Sequence, residues 1–103
     1  MKKKEMVIIC KRVIFYSQND ESAFFEWINK MKFVDRFSQA YDELYLHISK
    51  ENLKDDELND LIAFFYRYKI RRMKQLAAFL NEKNRKWFYE NKDKYWHKKI
   101  FGD

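Results

Sequence analysis

Along residues 6–17 the apolar positions do not alternate with polar ones: Ile9, Val13 and Phe15 interleave with Ile8, Ile14 and Tyr16, so both faces are apolar around Lys11 and Arg12. This predicts a strand in the centre of a sheet, breaking at the charged pair. Ser17, Asn19 and Asp20 can each cap a helix, and Asp20 and Glu21 suit the positive end of its dipole. Phe24, Trp27, Ile28 and Met31 then recur at i, i+3, i+4 and i+7, which predicts a helix over about residues 20–32.

The period then changes. Leu44, Leu46 and Ile48 alternate with Tyr45, His47 and Ser49, as in a half-buried strand. With Phe33, Val34 and Phe37 before them and SQAYD as the turn, they predict a β-hairpin over about residues 33–49, firmer in its second strand. Asn52 and Asp55 are cap candidates for a second helix, whose inward stripe is Leu58, Leu61, Ile62, Phe65 and Tyr68. Ile70, Met73, Ala77 and Leu80 continue a helical stripe, with Trp87 and Asn91 in register. Neither Gly nor Pro marks residues 68–72, so turn and kink fit the pattern equally. Residues 93–103 read as a short helix or ordered arm. The order β-α-β-β-α-α predicts one α+β domain over residues 1–103, a small antiparallel sheet with helices on one face.

Composition narrows the chemistry. A chain of 103 residues holding ten Phe, seven Tyr and three Trp can build one core. Proline is absent and Gly102 is the only glycine, which removes glycine-rich phosphate loops and nucleophile elbows. Cys10 is the only cysteine, so no intrachain disulfide can form, in keeping with a reducing cytoplasm. The apolar run of residues 6–10 is too short for a signal-peptide core of about 7–15 residues, and nothing approaches the roughly 18 of a membrane span. A cytoplasmic protein without a membrane partner is expected. The formal net charge of +6 is segregated: residues 1–12 carry +4, residues 13–65 carry −6 and residues 66–103 carry +8.

No catalytic or metal site is expected, and no cofactor. His47 and His97 lie far apart in sequence, and the acid clusters fall at turns and helix starts, where local electrostatics already explains them. A small enzyme using His47 would need a carboxylate beside it in a cleft. The stretch FFYRYKIRRMKQ, residues 64–75, mixes aromatics with five cations, as single-stranded nucleic acid requires. Wound as a helix, however, it turns Phe65 and Tyr68 inward and leaves Arg67, Arg71 and Lys74 together on a wet face. Apolar residues beyond the core stripes remain: Phe25, Phe64, Phe79, Phe88, Tyr89, Tyr45 and Trp96. Such a surplus beside segregated charge is the material of a protein interface.

In DELYLHISK, LNDLIAFFYRYKI and KWFYENKDKYWHKKIFG the chain resembles the small cytosolic immunity proteins of bacterial toxin systems, such as contact-dependent growth inhibition. The resemblance is one of type across all 103 residues and rests on no diagnostic motif. It implies a tight one-to-one complex that blocks a toxin domain. Candidate contacts are Tyr66, Arg67, Arg71, Lys74, Tyr89 and Trp96 on the basic side, and Asp55, Asp56, Glu57 and Asp60 on the acidic side. RNA or DNA binding through the same basic helices is the alternative.

Overall fold

The computed structural model describes residues 5–49 and 52–102. The N-terminal lysines 2–4, and residues 50 and 51 of the acidic stretch, lie outside that range. Three strands, β1 (Met6–Lys11), β2 (Arg36–Ala40) and β3 (Glu43–Ile48), form an antiparallel sheet in the order β1-β3-β2. The molecule is an α+β fold in the predicted order, with one correction inside the sheet: β1 is an edge strand. The centre belongs to β3, whose Leu44, Leu46 and Ile48 are buried on one face. They align with Cys10, Ile8 and Met6 on β1, and Leu46 also faces Phe37 on β2.

The second apolar face of β1 is only partly covered, with Val7 exposed and Ile9 half-buried. Val7 is 42% exposed, and the outer edge of β1 is closed by a side chain. Gln75 accepts from the Ile9 N–H at 2.9 Å and donates its amide to the Ile9 carbonyl at 2.8 Å, as a neighbouring strand would. The strand ends where expected, at the charged pair. Arg12 enters the left-handed region (φ 53°), and its N–H and guanidinium both bond Asp42, each at 2.9 Å. Val13 and Phe15 fold back on the core, while Ile14 and Tyr16 stay 66% and 83% exposed. The hairpin turn is shorter than SQAYD: Ser38, Gln39 and Ala40 remain in β2, and Tyr41 turns the chain at φ 58°.

Helix α1 spans Gln18–Lys30, capped by the Ser17 hydroxyl, which accepts from the Asp20 N–H at 3.1 Å. Helix α2 spans Asp55–Arg67 and buries Leu58, Leu61, Ile62, Phe64 and Phe65. Neither Asn52 nor Asp55 occupies its cap position; Lys54 does, with its N–H bonded to Glu57 at 2.8 Å. Phe24 and Phe64 meet with ring centres 4.8 Å apart, joining α1 to α2.

The expected continuous helix after residue 70 is broken. Residues 68–72 form a turn in which Lys69 (φ 52°) and Arg72 (φ 61°) are both left-handed. A 3₁₀ segment, Met73–Phe79, follows, and then a loop in which Asn81 and Asn84 bond each other's N–H at 2.9 Å. A π-type turn, Lys86–Glu90, leads to the short helix α3, His97–Phe101. The C-terminal arm packs at home: Trp96 and Ile100 are each 2% exposed, and Trp96 lies against Phe88. Most of the aromatic surplus is core, since Phe64, Phe79 and Phe88 are buried and Phe25 packs on Phe15, Phe24 and Phe37. Phe25 and Phe64 sit within the unbroken helices α1 and α2, beside their inward stripes, whereas Phe79 and Phe88 lie beyond the break after α2, in the 3₁₀ segment and the π-type turn.

Candidate functional site: a basic double concavity

The turn at residues 68–72 is the centre of the candidate site. Ile70 is drawn inward, 3% exposed, by a bond from its N–H to the Phe65 carbonyl at 2.9 Å. The two left-handed residues on either side of it reverse the chain and point cations outward in several directions. A concavity of about 570 Å³ opens on one side of the turn, lined by Phe65, Tyr66, Ile70 and Met73 together with Lys69, Arg71, Arg72, Lys74 and Lys99. A second, of about 370 Å³, opens on the other side, between Arg67, Tyr68, Lys69 and Arg71 and the loop residues Arg12, Ile14, Tyr16 and Asp20. Lys69 and Arg71 line both, and so form the ridge between them.

The electrostatics are one-sided. Among the described residues no carboxylate lines the larger concavity and none of its five cations stands in an ion pair. In the smaller one Asp20 is committed to the Tyr16 N–H, and Arg12 to Asp42. Arg12 holds the Asp42 carboxyl below its ordinary 3.8, chiefly through their hydrogen bond. Burial, followed by the charge of Asp20, holds the Tyr68 phenol above its ordinary 10.0. Exposed apolar groups border the cations: Ile14, Tyr16, and Tyr66 (42% exposed), whose ring meets Tyr95 edge-to-face at 4.5 Å.

Of the sequence candidates, Tyr66, Arg67, Arg71 and Lys74 are all exposed and all line these two concavities. The reason differs from the helical face expected for the cations. Arg67 ends α2, so Arg71 and Lys74 reach the same region through the turn and not through the i, i+4, i+7 rows of a helix. Trp96 is removed from the candidates, because at 2% exposure it belongs to the core. Tyr89 is elsewhere, under the Arg85 guanidinium and beside Phe101 and His97. On the acidic side, Asp55, Asp56 and Glu57 occupy the first turn of α2, Glu57 bonding the cap N–H, while Asp60 accepts from the Trp27 indole at 3.2 Å. Asp55, Asp56 and Glu57 suit the positive end of the helix dipole, whereas Asp60 ties α2 to α1. Arg12, Ile14, Tyr16 and Lys99 are not among the sequence candidates, and Lys69 and Arg72 are there only as two of the five cations of residues 64–75, not as named contacts. A signal existed for the first three, since exposed Ile14 and Tyr16 directly follow a strand that breaks at Arg12.

Another constellation lies on the open face of the sheet. His47 Nδ1 is 3.2 Å from a Glu5 oxygen, and His47 Nε2 is 3.1 Å from the Ser38 hydroxyl, so acid, imidazole and serine stand in a row from the residue before β1, through β3, to β2. Arg36 lies 3.8 Å from the same Glu5 oxygen. This is the connectivity that activates a serine nucleophile. It pairs His47 with a carboxylate, but Ser38 is exposed on the edge strand, and neither Ser38 nor His47 lines either concavity at the 68–72 turn. His97 is buried, its Nε2 bonded to the Tyr89 carbonyl. Burial pushes the Cys10 thiol up to about 12, keeping it protonated. Among the described residues no cluster of His, Cys, Asp and Glu could hold a metal ion, and no helix is long and apolar enough to cross a membrane.

No protein-family model, curated protein or solved structure matches this chain.

Proposed function

We propose that the chain is a non-enzymatic protein-binding module, an immunity-type protein that neutralises a cognate bacterial toxin in the cytoplasm by forming a tight complex. One observation carries the reading: Arg67, Lys69, Arg71, Arg72, Lys74 and Lys99, none of them in an ion pair among the described residues, border two adjoining concavities whose rims also expose Ile14, Tyr16 and Tyr66. Tyr and Arg are the side chains most often found at interface hot spots, and here both sit on one surface. Unbalanced positive charge speeds encounter with an acidic surface, and desolvated aromatic anchors slow release. The acidic stretch offers less, because Glu57 is engaged in helix capping and Asp60 with Trp27, which leaves only Asp55 and Asp56 of the four candidates facing solvent. The row Glu5–His47–Ser38 is read as a polar staple between strands, since its serine stands exposed on the edge strand β2.

The test is affinity capture from the native host after nuclease treatment, followed by mass spectrometry. A single stoichiometric acidic protein is expected, lost when Arg67 and Arg71 are both changed to Glu while the far-ultraviolet dichroism is unchanged. An acidic protein retained by that double variant would move the contact off this face.

A second reading has support from the same surface: cations beside exposed Tyr16 and Tyr66 also suit single-stranded RNA or DNA. Nucleic-acid binding would weaken steeply with salt, with a log–log slope of about 0.7 per phosphate neutralised on a single strand. Titration with mixed-sequence oligonucleotides is expected to give no binding at about 50 mM salt, a condition that favours such contacts.

A further inference from the structure

Five cations from two parts of the chain converge on the larger concavity. Lys69, Arg71, Arg72 and Lys74 come from the turn and the start of the 3₁₀ segment, and Lys99 comes from α3, more than twenty residues later. Their arrangement is unfavourable for the free protein in two separate ways. Like charges crowd one concavity that no carboxylate of the described residues lines, and their mutual repulsion opposes the compact state. Lys69 and Arg72 also hold a left-handed backbone that a glycine would adopt without steric cost, in a turn that contains none. Backbone strain of this kind points from the observed outlier to a functional hypothesis.

Beneath the cations the lining is apolar. Phe65, Ile70 and Met73 are 0%, 3% and 6% exposed, and a methionine adapts its shape to what is pressed on it. The volume, about 570 Å³, suits one large side chain with adjoining main chain. Tyr66 at the rim is already packed edge-to-face on Tyr95, which makes it a wall more than an open platform for successive bases.

Resting on the protein-binding reading, we infer that this concavity is the anchor pocket for one extended acidic segment of the partner protein. An apolar side chain of that segment lies over Ile70 and Met73, and flanking carboxylates meet Lys69, Arg71, Arg72, Lys74 and Lys99. Lys99 makes the C-terminal arm part of the site: Ile100, its buried neighbour, fixes α3 so that Lys99 faces the turn. Carboxylate recognition by several cations supplies orientation, and the apolar anchor supplies the slow release.

Three fluorescent probes test this at low salt: a peptide with a single Leu flanked by glutamates, the same peptide with Ser for Leu, and an oligothymidylate of equal charge. The Leu peptide is expected to bind at least tenfold more tightly than the Ser peptide and the oligonucleotide. The double variant Lys74→Glu, Lys99→Glu should lose that binding with its dichroism unchanged. Equal affinity for the Leu and Ser peptides would overturn the apolar anchor, and tighter binding of the oligonucleotide would replace the acidic segment with nucleic acid. A captured partner that binds the double variant as well as the parent would overturn this pocket while leaving the protein-binding reading intact. Capture of no protein at all would instead strike at that reading.

Discussion

Replacing Arg72 with glycine should make the domain more stable, although the change deletes a side chain and adds backbone freedom. Arg72 is exposed, its φ is 61°, and its carbonyl accepts from the Gln75 N–H at 3.1 Å, a bond that glycine keeps. A left-handed conformation costs a non-glycine residue about 1–2 kcal/mol. Glycine loses about 0.5–1 kcal/mol more entropy on folding, so a gain of about 0.5–1 kcal/mol remains. Unfolding entropy near 60 °C is about 2.1 cal/mol/K per residue, or about 0.2 kcal/mol/K for this chain, so Tm rises by about 2–5 °C. Lys74→Gly is the control. It removes a cation from the same concavity, but at a residue without positive φ in the 3₁₀ segment, and should lower Tm by a similar amount. Relief of charge repulsion is common to both variants, so their difference isolates the backbone term. Thermal unfolding followed by circular dichroism at one pH and salt concentration measures it. A Tm for Arg72→Gly at or below that of the parent would refute the claim that this turn is strained.

Three further perturbations follow from the same geometry. Gln75→Ala should destabilise by about 1–3 kcal/mol, two hydrogen bonds at about 0.5–1.5 kcal/mol each, and speed amide exchange at Ile9, whose N–H then faces the open edge. Cys10 is held near 12 in the folded protein against 9.0 when free, so folding stability should be intact below pH 9 and fall between pH 9 and 12, by about 1.4 kcal/mol per pH unit within that window. Urea unfolding should show the steeper loss in the parent than in Cys10→Ala, and the native thiol should resist disulfide reagents that react after unfolding. Asp42 titrates below 3.8 because of Arg12; its favourable pairing is present above that value and is lost as pH falls through the folded pKa. An NMR titration of Arg12→Ala should return the Asp42 midpoint toward 3.8, and an unmoved midpoint would remove Arg12 as the cause.

The elements that could be read directly are those whose signal is local and complete. Phe24, Ile28 and Met31, and Leu58, Leu61 and Ile62, repeat at helical spacing and are buried on that side of α1 and α2 and just beyond α1. Leu44, Leu46 and Ile48 alternate, and are buried in alternation. The strand around Ile8 and Ile9 was legible as a strand but not by position. Apolarity on both faces suits a central strand, yet here a glutamine 66 residues away supplies the missing neighbour. The break after α2 was least legible of all. A left-handed residue is ordinarily announced by glycine or asparagine, and at Lys69 and Arg72 neither is present.

The chain by itself determined the α+β class, α1, α2 and the hairpin, and the accumulation of cations toward its C-terminal end, because each follows from composition or from a period shorter than one element. Only the tertiary structure decided which cations share a surface. Packing of Ile70 and Met73 against α2 bends the turn, packing of Trp96 and Ile100 anchors the arm, and together they bring Lys99 to residues 69–74 and Arg12 to Arg71. Charge proximity in space is set by where the apolar groups are buried, and that depends on contacts between segments remote in sequence, which no local pattern records.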